Sequence, residues 1–314
     1  MKTIKLCDKS TKADINKLPS GVWSVVLTPF NDDGGIDWSG YDKLLEWYAG
    51  HGCSGMFASC LSSELYELTS DERLKLAARA VDRSDVPIVA AGYLGESRTE
   101  KLDSLISMSD TGVDTVVIPV CQIVGEEQSD DELLHELEFI LENTGDIPLG
   151  LYECPAPYHR LLSPEIIGWC AATGRFKFLK DTCCDLETIK SKIDRSRGSS
   201  LQVYNAYIHT LFESIVAGGA GFNGLAASFF PETLQKLVEC VTCDVENARE
   251  LQLMASAGQS IVKNKYPRGA KHFLKLRGVD ISSFCRADCP ELDGADLSIL
   301  KAFSELVEKW NSNH

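Results

Sequence analysis

A (β/α)8 TIM barrel with a helical C-terminal extension is the fold that this sequence predicts, and three observations carry the prediction. Eight short apolar segments recur between Gly21 and Ala227, each followed by a stretch of helical spacing. The first of them is not followed by a phosphate-binding glycine fingerprint, which argues against an open doubly wound sheet. From Pro231 onward only helical periodicity remains, and residues 232–314 are more than the barrel itself needs. The organisation read from this is an irregular lead-in over residues 1–20, a barrel over 21–231 and a helical extension over 232–314.

The elements follow in order. Gly21 to Phe30 reads as the first strand; Asn31 to Gly35 is a turn cluster, and Asp37 is placed to cap a helix whose apolar face includes Tyr41, Leu44, Leu45 and Tyr48. Gly55 to Cys60 is the second strand, and Thr69-Ser70-Asp71-Glu72 has capping-box chemistry. Pro87 to Gly92 is the third, with a helix from about Thr99. Asp114 to Val120 is the fourth, with a helix from Asp130 to Leu141. Ile147 to Tyr152 is the fifth, and Ser163-Pro164 opens a helix with proline at its favoured first position. Phe176 to Thr182 is the sixth, Leu201 to Asn205 the seventh and Gly221 to Ala227 the eighth. The run Gly218-Gly219-Ala220-Gly221 precedes a strand instead of opening a helix, so it reads as close packing at the barrel bottom and not as a phosphate loop. Helices are expected over 232–245, 246–264, 268–277 and 295–310, with Pro267 and Gly278 as breaks.

Composition narrows the function classes. The chain has 314 residues, 44% hydrophobic and 25% charged, which is globular composition. A net charge of −15 disfavours nucleic acid and anionic membrane as partners. There is neither a bilayer-length apolar run nor a secretory leader at the N-terminus, so the cytoplasm is the expected location. Twelve cysteines are scattered through apolar segments, which suits reduced thiols. Cys240 and Cys243 form a lone CxxC on a helical pattern, and Cys285 and Cys289 are more loosely spaced, so no metal or other cofactor is expected.

The chemistry is sought at the carboxyl ends of the strands, where barrel enzymes carry their sites. Lys180 ends the sixth strand among apolar and aromatic residues. An amine walled off from water loses the hydration that favours its ammonium form, so more of it is neutral and able to attack a ketone. A solvated surface lysine is the commoner role for this residue type. Tyr152 ends the adjacent strand, where a phenol can shuttle the protons of carbinolamine formation and dehydration. Ser62 and Ser63 offer hydroxyl and backbone donors suited to a carboxylate, although the same residues also suit a capping turn. Tyr204, Asn205, His159, Arg160, Glu153 and Cys121 stand at other strand ends or in the loop after the fifth strand, and are candidate contacts to the variable part of a substrate.

An ordered set of motifs resembles the dihydrodipicolinate synthase and N-acetylneuraminate lyase family. The set is Leu27-Thr28-Pro29-Phe30 with Gly34 and Asp37, Ser62-Ser63-Glu64 followed by Leu68 to Arg73, Tyr152 with Pro155, Phe178-Leu179-Lys180-Asp181, and Ala217 to Gly221. The resemblance runs from about Gly21 to Gly278. It implies the barrel with its extension, a Schiff-base lysine at Lys180, Tyr152 as proton donor and acceptor, the strand-two hydroxyl loop as carboxylate site, and a homotetramer. Four positions depart from the pattern, one of them Ser63, which stands where the family has a glycine. Leu61 stands where the family has the first of two hydroxyl residues, Cys121 where synthases have a tyrosine, and Pro157 where they have an arginine for the aldehyde substrate's carboxylate.

The expectation is therefore a class I lyase or aldolase on a 2-oxo acid, either a pyruvate-type donor or a deoxy-keto sugar acid, with Lys180 as nucleophile and Tyr152 as acid and base. A dihydrodipicolinate synthase and a non-catalytic keto-acid-binding protein are the alternatives. The retained lysine and tyrosine argue against the second, because a sensor has no use for a reactive amine.

Overall fold

The structure, a computed structural model, describes residues 17–313, so most of the lead-in expected over 1–20 lies outside the described residues. Eight parallel strands close into a barrel: β1 Gly21–Val25, β2 Gly55–Phe57, β3 Ile88–Ala91, β4 Thr115–Pro119, β5 Leu149–Tyr152, β6 Phe176–Asp181, β7 Gln202–Asn205 and β8 Gly221–Phe222. Each pairs with the next, and β8 closes on β1 through Gly21↔Gly221. Glycine is required at that seam, because a Cβ on Gly221 would lie 1.8 Å from the Gly21 carbonyl oxygen.

Helices α1 Trp38–Gly50, α2 Ser70–Arg83, α3 Arg98–Ser109, α4 Asp130–Asn143, α5 Pro164–Thr173, α6 Leu186–Ser196 and α7 Leu211–Val216 alternate with the strands. Their starts follow the cap chemistry in the sequence. Asp37 accepts from the Gly40 N–H, Thr69 and Glu72 form a reciprocal box, and Ser163 caps α5 with Pro164 at its first turn.

Two apolar layers result from strands with both faces buried. Outside the sheet, residues such as Val26, Met56, Ile118 and Leu179 pack against the helices. Inside, Trp23, Phe57, Phe178 and Tyr204 fill the barrel. Trp23 lies edge-on to Phe178 at 5.3 Å, and Phe178 stacks on Tyr204 at 4.6 Å. The Trp23 indole and the Tyr204 hydroxyl both donate to the Pro19 carbonyl, at 3.1 and 2.8 Å. That end of the barrel is thereby closed, which leaves the carboxyl ends of the strands as the open face.

The expected elements are present, several with shorter boundaries, as in the second strand, which stops at Phe57. The first strand stops at Val25, and the chain beyond it turns outward so that Thr28 donates to the Ser63 carbonyl at 2.7 Å. The eighth strand is Gly221–Phe222, after which Leu225–Ser228 forms a turn of 3-10 helix. The helix expected over 232–245 is α8 Pro231–Cys240, and Asp244 caps α9 Val245–Lys263. The Cys240/Cys243 pair therefore spans a helix end and a turn, not one helix. α10 Arg268–Leu276 and α11 Gly294–Asn313 complete the described chain. No described helix is long and apolar enough to cross a membrane, and no described cluster of three or more His, Cys, Asp or Glu could hold a metal ion.

The helical extension is tied to the barrel mouth by a buried ion pair. Glu64, at the turn after β2, receives the Lys271 ammonium at 2.6 Å and the N–H groups of Arg286 and Ala287 at 2.7 and 2.8 Å. Both side chains are out of solvent, with exposures of 0% for Lys271 and 2% for Glu64. Arg286 also holds Glu72 through two contacts of 2.7 and 2.8 Å.

Candidate active site

Register places the two principal residues side by side. Tyr152 and Lys180 are direct partners across the β5–β6 ladder, and both point into the barrel at its open end. Lys180 Nζ lies 4.7 Å from the centre of the Tyr152 ring and 5.6 Å from that of Phe57. Lys180 is 3% exposed. Burial holds its ammonium below the ordinary lysine range, while the sulfurs of Cys60 and Cys154 act in the opposite direction. Burial also pushes the Tyr152 phenol well up, so it is a proton donor at neutral pH.

Both residues line a cavity of about 270 Å³. Leu61 and Ser62 form one wall, in a 3-10 turn after β2. Pro155, Ala206 and Leu225 make an apolar rim, and Tyr266 enters from the turn between α9 and α10. Lys180 is the sole charged side chain on the wall. Thr182 is on the wall but already engaged. Its amide donates to Glu153 Oε2 at 2.9 Å and its hydroxyl to the Glu153 carbonyl at 2.6 Å. His159 Nε2 lies 2.7 Å from that hydroxyl, so the imidazole is the donor to it. His159 is thus at the rim, and burial with the Lys192 charge holds it below the usual imidazole range.

The remaining sequence-derived candidates are placed elsewhere, each for a physical reason. Ser63 does not face the cavity. Its hydroxyl donates to the Val26 carbonyl at 2.6 Å and accepts from the Cys60 N–H at 3.2 Å, which is the capping role. Tyr204 leads towards the closed end, where it bonds Pro19. Asn205 alternates to the outer face of β7 and donates to Thr210 and Ser214. Arg160 turns away to Asp130 at 2.7 Å and to the Gln128 carbonyl. Cys121 is not on the cavity wall and donates to the Ala156 carbonyl at 3.1 Å.

Glu153 points out of the barrel into a buried triad. Lys192 reaches it at 2.5 Å and Asp181 at 2.6 Å, with all three side chains at 0–1% exposure. Burial and the Asp181 charge push the Glu153 carboxyl up to about 7, against the pull of Lys192. Burial pulls Lys192 down, but the two carboxylates outweigh it and leave the ammonium held more firmly than usual.

Sequence reasoning did not select Thr182, Leu225 or Tyr266. Thr182 carried a local signal, being two residues beyond Lys180 near a strand end. Tyr266 carried none, because only the packing of α9 and α10 brings it to the mouth.

Three comparisons set this geometry among known proteins. A model of the dihydrodipicolinate synthetase family matches residues 18–303. A 4-hydroxy-tetrahydrodipicolinate synthase from Desulfotalea psychrophila is 25% identical over 287 residues, which is 90% of this chain and 94% of that protein. Among solved structures, a monomeric dihydrodipicolinate synthase variant superposes with a TM-score of 0.84 at 19% identity, covering 93% of this chain and 98% of its own. A prophage protein of the dihydrodipicolinic acid synthase family from E. coli K12, solved with pyruvate, gives 0.80 at 21% identity, covering 92% and 98%. At these identities the superpositions speak for the fold.

Proposed function

Because the chain belongs to the dihydrodipicolinate synthetase family, whose members are lyases that act with pyruvate through a lysine Schiff base, we propose that Lys180 is that lysine and that its substrate is a pyruvate-type 2-oxo acid. The observation that carries the reading is a lysine 3% exposed, beside a phenol, as the sole charge on the wall of a cavity of about 270 Å³. The neutral amine adds to the C2 carbonyl. Tyr152 protonates the departing hydroxyl, water leaves, and the protonated imine acidifies the neighbouring carbon. Loss of a proton there gives an enamine that adds to an aldehyde; the reverse sequence is cleavage. The substrate carboxylate fits the Ser62 hydroxyl and the amides that open the 3-10 turn. The test is pyruvate with borohydride, read by intact mass and peptide mapping. One lysine, Lys180, is expected to carry the adduct; labelling elsewhere, or none, overturns the reading.

The acceptor is a separate matter. Aspartate semialdehyde brings its own carboxylate, and the acceptor side of the cavity offers no cation to it. Pro157 lacks a donor, and Arg160 is committed to Asp130 and Gln128. A missing charge-assisted contact costs about 1.5–3 kcal/mol, or roughly a ten- to hundred-fold loss in turnover. A coupled assay with both substrates is expected to show that deficit beside full pyruvate trapping. Turnover at the level of a genuine synthase run in parallel would refute it.

We further infer a homotetramer, as the motif resemblance implies, in the cytoplasm. Sedimentation at micromolar concentration checks the assembly, and a monomer throughout would contradict it.

A further inference from the structure

Tyr152 and Lys180 are each followed by a carboxylate, Glu153 and Asp181. Successive side chains of a strand point to opposite faces, so a pair that faces the cavity sets the next pair against the helices outside. Because Tyr152 and Lys180 are partners across the β5–β6 ladder, the two carboxylates also arrive side by side. Like charges opposite one another on neighbouring strands push the strands apart. Lys192, on α6, stands between them, 2.5 Å from Glu153 Oε1 and 2.6 Å from Asp181 Oδ2. One ammonium shared by two adjoining strand ends turns that repulsion into a clamp.

The clamp is applied where the backbone ladder is weak. The register of β5 against β6 shifts between Leu149 and Gly150. The Glu153 amide reaches the Lys180 carbonyl at 3.3 Å, beyond the usual length of such a bond. Side chains make up the difference. Glu153 Oε2 takes the Thr182 amide at 2.9 Å and Oε1 the Leu162 amide at 2.8 Å. Thr182 returns its hydroxyl to the Glu153 carbonyl at 2.6 Å, and Asp181 Oδ1 takes the Cys183 amide at 3.2 Å. The loop that carries Pro155 to the cavity wall and the turn that carries Thr182 there are thus fastened to the same two residues.

We propose that Glu153, Lys192 and Asp181 are positioning residues for the imine chemistry, holding the Tyr152 phenol and the Lys180 amine at their working separation from outside the barrel; this rests on the Schiff-base reading of Lys180. None of the three lines the cavity, and their side chains are shut off from water, so they take no part in making or breaking bonds. Their effect passes through the backbone, one peptide unit from Glu153 to Tyr152 and one from Asp181 to Lys180. Apolar residues of like volume hold a fold together as well as a buried ion triad does. Ions also fix distances and directions, which is what a reacting pair needs. The phenol must lie within hydrogen-bond reach of the oxygen on the carbon that the amine attacks. A strand end displaced by about 1 Å slows that proton transfer by as much as 100-fold. The carboxylate seat is built separately. It belongs to the turn after β2, which is fastened through Ser63 to Val26, Thr28 and Cys60. Loss of the clamp therefore separates rate from substrate binding.

Glu153→Gln tests this with the shape of the side chain kept. One amide oxygen then stands where two carboxylate oxygens are needed, so either the Thr182 amide, or Lys192 with the Leu162 amide, loses its acceptor. Exchange of the pyruvate methyl protons for deuterium, followed by NMR, reads the maximal rate and the half-saturating pyruvate concentration without any aldehyde. Borohydride trapping at saturating pyruvate and long incubation counts the competent sites. The expected result is a maximal rate lowered by about 10- to 100-fold, with half-saturation and the number of trapped sites unchanged. Asp181→Asn removes the charge of the other carboxylate and should lower the rate in the same way, again with every site trapped. An unchanged rate in both variants overturns this proposal alone. So does a rate that falls only in step with the number of trapped sites, the result of a purely structural role. No adduct in the unmodified protein overturns the Schiff-base reading and this proposal with it.

Discussion

Lys180→Met should eliminate the pyruvate adduct and lower turnover by at least roughly 10⁴-fold, the order lost when a covalent nucleophile is removed. The same substitution should make the protein more stable. Lys180 sits in an apolar wall, beside aromatic rings and without a carboxylate in contact, so its ammonium is poorly solvated in the fold and fully solvated in the unfolded chain. Its folded pKa is thus below the unfolded value. The unfolded state binds more protons in the interval between the two, and stability rises with pH there. Below that interval the cost is at its full size. A methionine fills the same space without it, so the gain should be about 0.5–2 kcal/mol at neutral pH and shrink as pH climbs towards the ordinary lysine range. Urea unfolding of both proteins across pH reads the effect. A variant that is less stable at every pH would show that Lys180 has a buried partner that the arrangement above does not contain.

Lys192→Met should have the opposite effect on stability. Lys192 is the counter-ion of two carboxylates, Glu153 and Asp181, and all three side chains are shut off from water. Removing one partner of a buried pair costs about 3–5 kcal/mol, because the remaining charge is left uncompensated. Here two carboxylates are left facing each other. The loss should depend on pH with a definite sign. Glu153 already has its pKa raised from 4.5 to about 7, so its contribution is full below 4.5 and is lost as pH rises through 7. Without Lys192 the pull towards the protonated form grows. The variant should be most impaired at pH 8 and partly recovered at pH 5. A pH-independent deficit would mean that the carboxylates have found other partners.

The barrel was legible from the sequence because its signal is repeated. Each strand is buried on both faces, each helix has one apolar stripe, and the caps at Asp37, Thr69 and Ser163 mark where the stripes begin. Lys180 and Tyr152 were legible for the same reason, since a residue that ends a strand has only one place to go. Ser62 and Ser63 are not told apart by the sequence. They are adjacent and alike, yet one lines the cavity and the other is consumed by the Val26 carbonyl and the Cys60 amide. A turn decides between them, and turn geometry is not written in a pair of serines. Tyr204 was placed at the correct end of its strand, but its long side chain leads the other way, towards Pro19. Arg160 follows Asp130 because their helix and loop meet, a fact of packing. Tyr266 comes from a distant segment, and residue spacing carries no information about it.

The Glu64–Lys271 pair has a consequence for the protein's manufacture. Lys271 follows Glu64 by 207 residues. At a synthesis rate of 5–20 residues per second, roughly 10–40 s separate the two on the ribosome. β1 and β2 precede that interval and β3 to β8 are made within it, so a barrel can close while its mouth still holds a carboxylate without its cation. The loop bearing Leu61 and Ser62 is held to the barrel through Ser63, but its Glu64 anchor is completed only when α10 arrives. The mouth is therefore the last part of the barrel to receive all its partners, from Lys271 and the amides of Arg286 and Ala287.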